Sequence, residues 1–227
     1  MPASFFRVAA LASGLTAFTT LGLIFLPDLF APVSDGVPGR MERVRDPAYQ
    51  LRAWVAFVHP FLAFAAALAV AVALRPRRPA LALVGVLGFA FWAVVEAAQQ
   101  AMTLFAFDAW RQAWLAGDPA VRGTIAVRAA VYDGLWEAAY SLLLLGFLLG
   151  CAAYAAALLR ERDILGRTVG VLYAVASLLT LGLLAGQLGA PVLREPATKW
   201  LYALSQPLAR LLIGVWLWRE AGRRSPV

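Results

Sequence analysis

The sequence predicts an all-α membrane protein: a polytopic transmembrane six-helix bundle with both termini in the cytoplasm. Its composition is the first observation, because 62% of the residues are hydrophobic and only 15% are charged, whereas a soluble domain has about 25% charged residues. The second observation is the presence of six long apolar runs, and the third is that basic residues cluster at the ends of those runs. At about 20 residues per span, the runs predict a single integral membrane domain over residues 1–227.

The six apolar runs set the predicted spans. They are Phe5–Leu26, Leu51–Leu74, Ala80–Phe107, Ala129–Leu159, Thr168–Leu188 and Trp200–Trp218. The first is too long for the apolar core of a secretory signal, so we expect it to be a retained span. The third and fourth exceed the hydrocarbon thickness, which predicts tilting or extension into the interface.

The basic residues predict the orientation. Placing the very short arginine-rich connections and both termini in the cytoplasm gives ten basic and three acidic residues there, against nine basic and seven acidic residues on the opposite side. The ten are Arg7, Arg75, Arg77, Arg78, Arg160, Arg162, Arg167, Arg219, Arg223 and Arg224. Short loops rich in Arg favour the cytoplasmic side. Both termini are therefore predicted to lie inside.

The predicted outer side carries the longer connections. Pro27–Gln50 contains proline, glycine and mixed charge. Within Asp108–Arg128, the aromatic residues Trp110 and Trp114 follow Phe107 at helical spacing. This segment is predicted either to lie on the membrane surface as a short amphipathic helix or to cap the bundle.

Polar residues inside the predicted spans form stripes. They recur at three- and four-residue spacing, which places them on one helix face, and polar stripes in lipid must face other helices or water. The candidate site residues are His59, Glu96, Gln99, Gln100, Glu137, Tyr140, Gln206 and Arg210. At 1.5 Å per residue, His59, Glu96, Glu137 and Gln206 fall at similar depth, in the predicted outer half.

This clustering predicts a pocket and not a pore. Pro60 and Pro207 lie mid-span beside His59 and Gln206, and each removes a helix hydrogen bond, which a polar cavity tolerates. The inner halves are almost entirely Leu, Ala, Val and Gly, whereas a channel needs polar lining throughout. We therefore expect an outward-facing intramembrane polar pocket.

The chemistry of the cluster leaves several alternatives. Glu96, Glu137 and His59 would accept a divalent cation, or zinc or iron with two glutamates and one histidine. They would also suit proton uptake, a cationic ligand, or acid–base chemistry on an apolar substrate. The remaining alternative is a structural network in which these three groups and Arg210 neutralise one another.

Other function classes are not supported. The net charge of +7 comes from residues at helix ends, which is typical of membrane topology and not of nucleic-acid binding. The chain lacks a glycine-rich phosphate loop, an HExxH motif and a GxSxG motif. Its single cysteine, Cys151, excludes an internal disulfide and any multi-cysteine metal site.

Two stretches resemble domain-of-unknown-function family 4386, a bacterial family of six-span membrane proteins. They are RVAALASGLTAF (Arg7–Phe18) and the hairpin LLLLGFLLGCAAYAAALLRERDILGRTVGVLYAVASLL (residues 142–179). The extended loop after the first span adds to the resemblance. It implies six helices in a bacterial cytoplasmic (inner) membrane, and carries over no catalytic or binding residue.

The leading functional hypothesis is binding or transport of a small ligand or cation. The first alternative is an intramembrane enzyme acting on a lipid-like substrate, and the second is a structural or partner-binding membrane subunit. The expected partners are the lipid bilayer and a small ligand or lipid. The sequence names no substrate and gives no oligomeric state.

Overall fold

A computed structural model describes residues 1–30, 36–187, 189–190 and 197–224, and every regular element in these ranges is helical, as predicted. The helices are α1 (Ala3–Phe30), α2 (Gly36–Glu42), α3 (Pro47–Leu74), α4 (Pro79–Ala101), α5 (Asp108–Ala116), α6 (Pro119–Leu158), α7 (Ile164–Gln187) and α8 (Ala203–Arg223). A 3-10 turn, Arg43–Arg45, follows α2. A π-helical segment, Met102–Phe107, joins α4 to α5, and a second, Ala197–Tyr202, leads into α8.

Within the described residues, five helical segments are long and apolar enough to cross a membrane. They are Ala3–Phe25, Pro47–Leu74, Pro79–Ala116, Pro119–Leu158 and Ile164–Gln187, and they correspond to the first five predicted spans. The predicted span Trp200–Trp218 corresponds to α8, which is not among them. Arg210, Arg219 and Glu220 interrupt the apolar character of that helix.

Two helices begin earlier than predicted, because aspartate–proline pairs start them. The Asp46 side chain accepts hydrogen bonds from the N–H groups of Ala48 and Tyr49, so α3 begins within the predicted loop Pro27–Gln50. Asp118 caps α6 in the same way. Aspartate at the N-cap with proline at the first helical position is a strong start signal. Residues 31–35 of the predicted loop, and residue 188 of the fifth predicted span, lie outside the described residues.

The amphipathic segment after the third span packs against neighbouring helices. The chain stays helical from α4 through the π-helical segment into α5, as one stretch, Pro79–Ala116. Phe107, Asp108 and Arg111 are all buried. This burial favours the alternative in which the segment caps the bundle, and the position of the segment relative to the membrane surface stays a prediction.

The long helices pack as antiparallel neighbours in chain order. α1 packs on α3, α3 on α4, α4 on α6, α6 on α7 and α7 on α8, and α8 returns to pack against α1. Ser13 of α1 donates a 2.7 Å hydrogen bond to the Arg210 carbonyl of α8, and the Arg7 guanidinium lies 5.9 Å from the Trp218 ring centre. The earlier residue of α1 therefore contacts the later residue of α8, which means that the two helices are antiparallel.

One end of the bundle, here called the basal end, gathers the short arginine-rich connections. Arg77 pairs with Glu161 at 3.2 Å, and Arg219 lies 3.8 Å from Asp163. The opposite end, called the open end, holds α2, α5 and the first turns of α3 and α6. Connections predicted to share one side of the membrane therefore share one end of the bundle.

Three glycines bring α4 and α6 into backbone contact. A Cβ added to Gly88 would lie 2.5 Å from the backbone nitrogen of Gly150 and 2.9 Å from the carbonyl oxygen of Gly146. Small residues permit this closeness at helix interfaces in membranes. The same pair of helices positions most of the polar cluster, so this contact sets the width of the candidate site.

Candidate functional site

Two adjoining cavities lie towards the open end. The inner cavity has a volume of about 290 Å³ and lies among α1, α3, α4, α6 and α8. The outer cavity has a volume of about 320 Å³ and is bordered by the segment Arg40–Ala53 and by α4, α5 and α6. Gln100 and Trp136 line both cavities, so the two are direct neighbours.

Seven of the eight candidate residues line the inner cavity. They are His59, Glu96, Gln99, Gln100, Tyr140, Gln206 and Arg210. Glu137 is instead exposed and lines the outer cavity. The structure therefore does not bring Glu137 together with Glu96 and His59. Trp136 forms the wall between the cavities, and its neighbour Glu137 lies on the outer side.

His59 is fixed in place by neighbouring helices. It is buried, its Nδ1 lies 2.7 Å from the Thr19 hydroxyl oxygen of α1, and its ring meets the Trp92 ring edge-on at 6.3 Å between centres. The contact with Thr19 joins α1 to α3 at the level of the inner cavity. His59 therefore forms a rigid wall of that cavity.

Glu96 and Arg210 are the two charged groups of the inner cavity. Both are partly exposed to it, and their opposite charges attract. No ion pair within 4.0 Å joins Glu96 or Arg210 to another described residue. The Arg210 guanidinium faces the Trp92 ring at 5.9 Å, and its buried Nε has no hydrogen-bond partner among the described residues.

The two buried glutamines have different environments. Gln99 is 1% exposed, and its amide nitrogen donates a 3.0 Å hydrogen bond to the Trp136 carbonyl, which ties α4 to α6. Gln206 is 6% exposed, yet its amide nitrogen has no partner among the described residues. Gln206 and Arg210 are four residues apart and share a helix face. Both line the inner cavity, and each has a buried nitrogen without a described partner.

A much smaller cavity adjoins the inner cavity on its basal side. Phe147, Gln206 and Arg210 border both cavities, and the smaller one has a volume of about 30 Å³ and lies beside Ser13 and Cys151. Below it lies the apolar core of the bundle, in which Phe89, Tyr154 and Tyr173 pack together. The polar site is thus confined to the half of the bundle nearer the open end.

The outer cavity was not predicted from the sequence. Its lining includes Arg40, Arg43, Arg52 and Arg111, with Asp133 and Glu137 as the acidic residues. Arg40 makes two hydrogen bonds to Asp133, one of them 2.7 Å long, and this interaction raises the pKa of the Arg40 guanidinium. Arg40 and Arg43 belong to the predicted loop Pro27–Gln50, whereas Arg52 lies at the start of the second predicted span and Arg111 in the amphipathic segment. Only the high arginine content of residues 40–52 signalled the site.

The described residues hold no candidate metal centre. No group of three His, Cys, Asp or Glu side chains in these ranges is arranged to hold an ion. The expected cation site at Glu96, Glu137 and His59 is not formed, because Glu137 borders the other cavity.

Comparisons with protein-family models, curated proteins and solved structures give no match for this chain.

Proposed function

We propose that this protein is an integral membrane protein that binds a small organic ligand in the inner cavity, through an anionic group such as a carboxylate. The observation that carries the proposal is the pair Arg210 and Gln206. Both residues line a cavity of about 290 Å³, and each has a buried side-chain nitrogen without a described hydrogen-bond partner.

The energetics of a buried arginine support this function. A cation at membrane depth is costly and faces a partner or a cavity. Glu96 attracts Arg210 but forms no direct ion pair with it, so the planar guanidinium retains its donors. Arginine binds a carboxylate through two parallel hydrogen bonds, and Gln206 supplies a further donor nearby.

The remaining walls favour an apolar or aromatic ligand body. Trp92, Trp136, Tyr140 and Tyr202 line the inner cavity with several leucines. Small-molecule sites commonly combine such apolar walls with a few polar groups that fix orientation. Glu96, the other charged residue of the lining, suits a donor such as an amine or hydroxyl elsewhere on the same ligand.

The ligand is expected to enter from outside a bacterial cytoplasmic membrane. In this topology α8 is the sixth span, and both termini are cytoplasmic. The position of α8 supports a sixth span, because α8 packs antiparallel to the first span, α1. The contacts of Arg210 with Ser13 and of Trp218 with Arg7 show this orientation. The arginine-rich basal end supports the orientation, since cytoplasmic loops carry an excess of Arg.

Cysteine labelling tests this topology. Cys151, the only cysteine, is fully buried, so Cys151→Ala provides a background for single cysteines. In intact cells a membrane-impermeant maleimide should label Arg122→Cys and Trp200→Cys. Arg162→Cys and Gly222→Cys should react only after the cells are opened. Labelling of positions 200 and 222 from the same side would contradict a sixth span, and an inverted pattern would contradict the orientation.

Thermal stabilisation tests ligand binding. The purified protein would be melted in detergent with amino acids and aromatic carboxylates, each paired with its neutral amide. A true ligand at one hundred times its Kd stabilises the native state by about 2.7 kcal/mol. We expect stabilisation by a carboxylate, not by its amide, and loss of this response in Arg210→Gln.

Arg219→Gln is the matched control, because it removes one positive charge from the same helix at the basal end. It should keep the wild-type response. Equal responses to carboxylates and amides, or an unchanged response in Arg210→Gln, would contradict the proposal.

The geometry favours binding over the alternatives. Transport would require Phe147, Gln206 and Arg210 to move, because they border both the inner cavity and the smaller cavity on its basal side. Catalysis by paired carboxylates is not favoured, because Glu96 and Glu137 border different cavities. The enzymatic function, the partner-binding function and membership in family 4386 stay predictions.

A further inference from the structure

The outer cavity contains two arginines without a matching carboxylate. Arg40 is paired with Asp133, and Arg111 is paired with Asp108 at 2.5 Å. Arg43 and Arg52 form no salt bridge with a described residue. Two of the four guanidinium groups therefore remain uncompensated.

The positions of Arg43 and Arg52 are fixed by the local fold. Arg43 begins the 3-10 turn that connects α2 to α3, and Arg52 lies in the second turn of α3 after the Asp46 cap. Arg52 donates its Nε to the Leu23 carbonyl at 3.2 Å, which leaves its two terminal nitrogens for another acceptor. The Nε of Arg43 is buried and has no described partner.

Arg43 and Arg52 line the same cavity with like charges, and like charges repel each other. Like charges near a protein surface interact with an effective dielectric constant of about 20, well below that of water. Glu137, the other acidic residue of the lining, is exposed and forms no described ion pair. A bound anion between Arg43 and Arg52 would remove this repulsion.

We propose that the outer cavity is a phosphate-binding site in which Arg43 and Arg52 hold the phosphate oxygens. A tetrahedral phosphate presents several acceptors to two guanidinium groups, each able to bind it through two hydrogen bonds. The volume of about 320 Å³ accommodates such a group. This site is separate from the Arg210 site and does not depend on the function proposed for it.

The phosphate has two chemical sources. The cavity lies at the open end of the candidate spans, where Trp136 lines it and Trp110 and Trp114 pack nearby. Tryptophan is enriched at the level of lipid headgroups, so a lipid phosphate can reach this position. Free inorganic phosphate can reach it from the aqueous side.

Binding should be measured on the purified full-length protein in phosphate-free buffer at constant ionic strength. The probes are inorganic phosphate and short-chain phosphatidic acid, with chloride and a neutral diacylglycerol of the same chain length as references. We expect saturable stabilisation by at least one phosphate probe and by neither reference. Stabilisation by phosphatidic acid alone assigns a lipid headgroup, and stabilisation by both probes assigns a site open to free phosphate.

The variants locate the site. Losing one charge-assisted contact should weaken phosphate binding roughly tenfold or more, so we expect this in Arg43→Gln and in Arg52→Gln. Arg45→Gln is the matched control, because Arg45 is exposed in the same 3-10 turn and does not line the cavity. Arg43→Lys keeps the positive charge but loses the forked guanidinium, so it should bind phosphate more weakly than wild type does. This variant tests the same contact if a glutamine variant does not fold.

Three results would overturn the proposal. The first is the absence of saturable binding by either phosphate probe. The second is an equal loss in Arg45→Gln, which would show general attraction to positive charge. The third is wild-type affinity in both cavity variants.

Discussion

Gly88→Ala is expected to destabilise the protein by about 1–3 kcal/mol, towards the upper end of the range for overpacked cores. The new methyl group would lie 2.5 Å from the Gly150 nitrogen and 2.9 Å from both the Gly150 Cα and the Gly146 carbonyl oxygen. These are backbone atoms, so no side-chain rotation relieves the clash. α4 and α6 would have to separate.

The separation should also affect the inner cavity. The same two helices are joined by the hydrogen bond from Gln99 to Trp136. The π-helical segment that follows α4 is also tied to α6, through the 2.7 Å contact between the Thr103 and Tyr132 hydroxyls. Glu96 and Tyr140 line the cavity from these two helices. A variant that still folds should therefore show weakened ligand binding as well as lower stability.

Gly134→Ala is the matched control on α6. A Cβ at Gly134 meets nothing within 4 Å, and alanine in a helix interior is favoured over glycine by roughly 0.5–1 kcal/mol. The control should be as stable as wild type or more stable. The measurement is the melting temperature in detergent together with the folded fraction by size-exclusion chromatography. Equal stability of the two variants would contradict the close contact at Gly88.

The sequence predicted most of the helices and much of the inner cavity for a simple physical reason. Lipid excludes polar groups, so a stripe such as Glu96, Gln99 and Gln100 has few places to face other than the protein interior. Helical spacing then identifies which residues share that interior face. The basic residues were equally informative about which connections share an end of the bundle.

The sequence could not resolve the boundary between the two cavities. A helix face covers roughly 100°, and Glu137 and Tyr140 both fall within one such face on α6. Which cavity each residue borders depends on the bulky Trp136 and on the segment from Arg40 to Arg52, which approaches from a distant part of the chain. Arg40 and Asp133 are 93 positions apart, and no local pattern predicts that contact.

The start of α6 is a different kind of omission. Asp118 and Pro119 form a helix-start signal that was available in the sequence. The predicted span was instead started at Ala129, where the apolar run begins. Hydropathy indicates where a helix enters lipid and not where the helix itself begins. The first ten residues of α6 were therefore placed in the predicted connection Asp108–Arg128, although they bring Ile125 into the small apolar cluster at the open end.

Asp108→Asn is expected to cost about 3–5 kcal/mol, the range for removing one partner of a buried ion pair. The side chains of Arg111 and Asp108 are only 4% and 10% exposed. Arg111 also donates to the Tyr49 hydroxyl at 2.5 Å, and its guanidinium lies between the Tyr49 and Phe107 rings at 4.6 and 4.5 Å. Without the carboxylate, this cation would remain buried and unpaired.

A double variant tests whether the loss of stability in Asp108→Asn comes from leaving the Arg111 charge buried without a partner. Asp108→Asn combined with Arg111→Met removes both charges, and replacing a buried pair with apolar groups is often close to neutral. The double variant should therefore be more stable than Asp108→Asn alone. Denaturant titrations in detergent would compare wild type, both single variants and the double variant. A double variant as unstable as the sum of the two singles would show that Asp108 and Arg111 act independently.

The Arg40–Asp133 pair is a solvent-exposed reference for the buried Asp108–Arg111 pair. Its side chains are 35% and 45% exposed, and solvent-exposed pairs contribute about 0–1 kcal/mol. Asp133→Asn should therefore lower stability far less than Asp108→Asn, although both remove one carboxylate from an arginine at the open end. The difference follows from burial: water compensates Arg40 when its partner is removed, whereas the aromatic rings around Arg111 exclude that water. Equal losses in the two variants would mean that Arg111 is as accessible to solvent as Arg40.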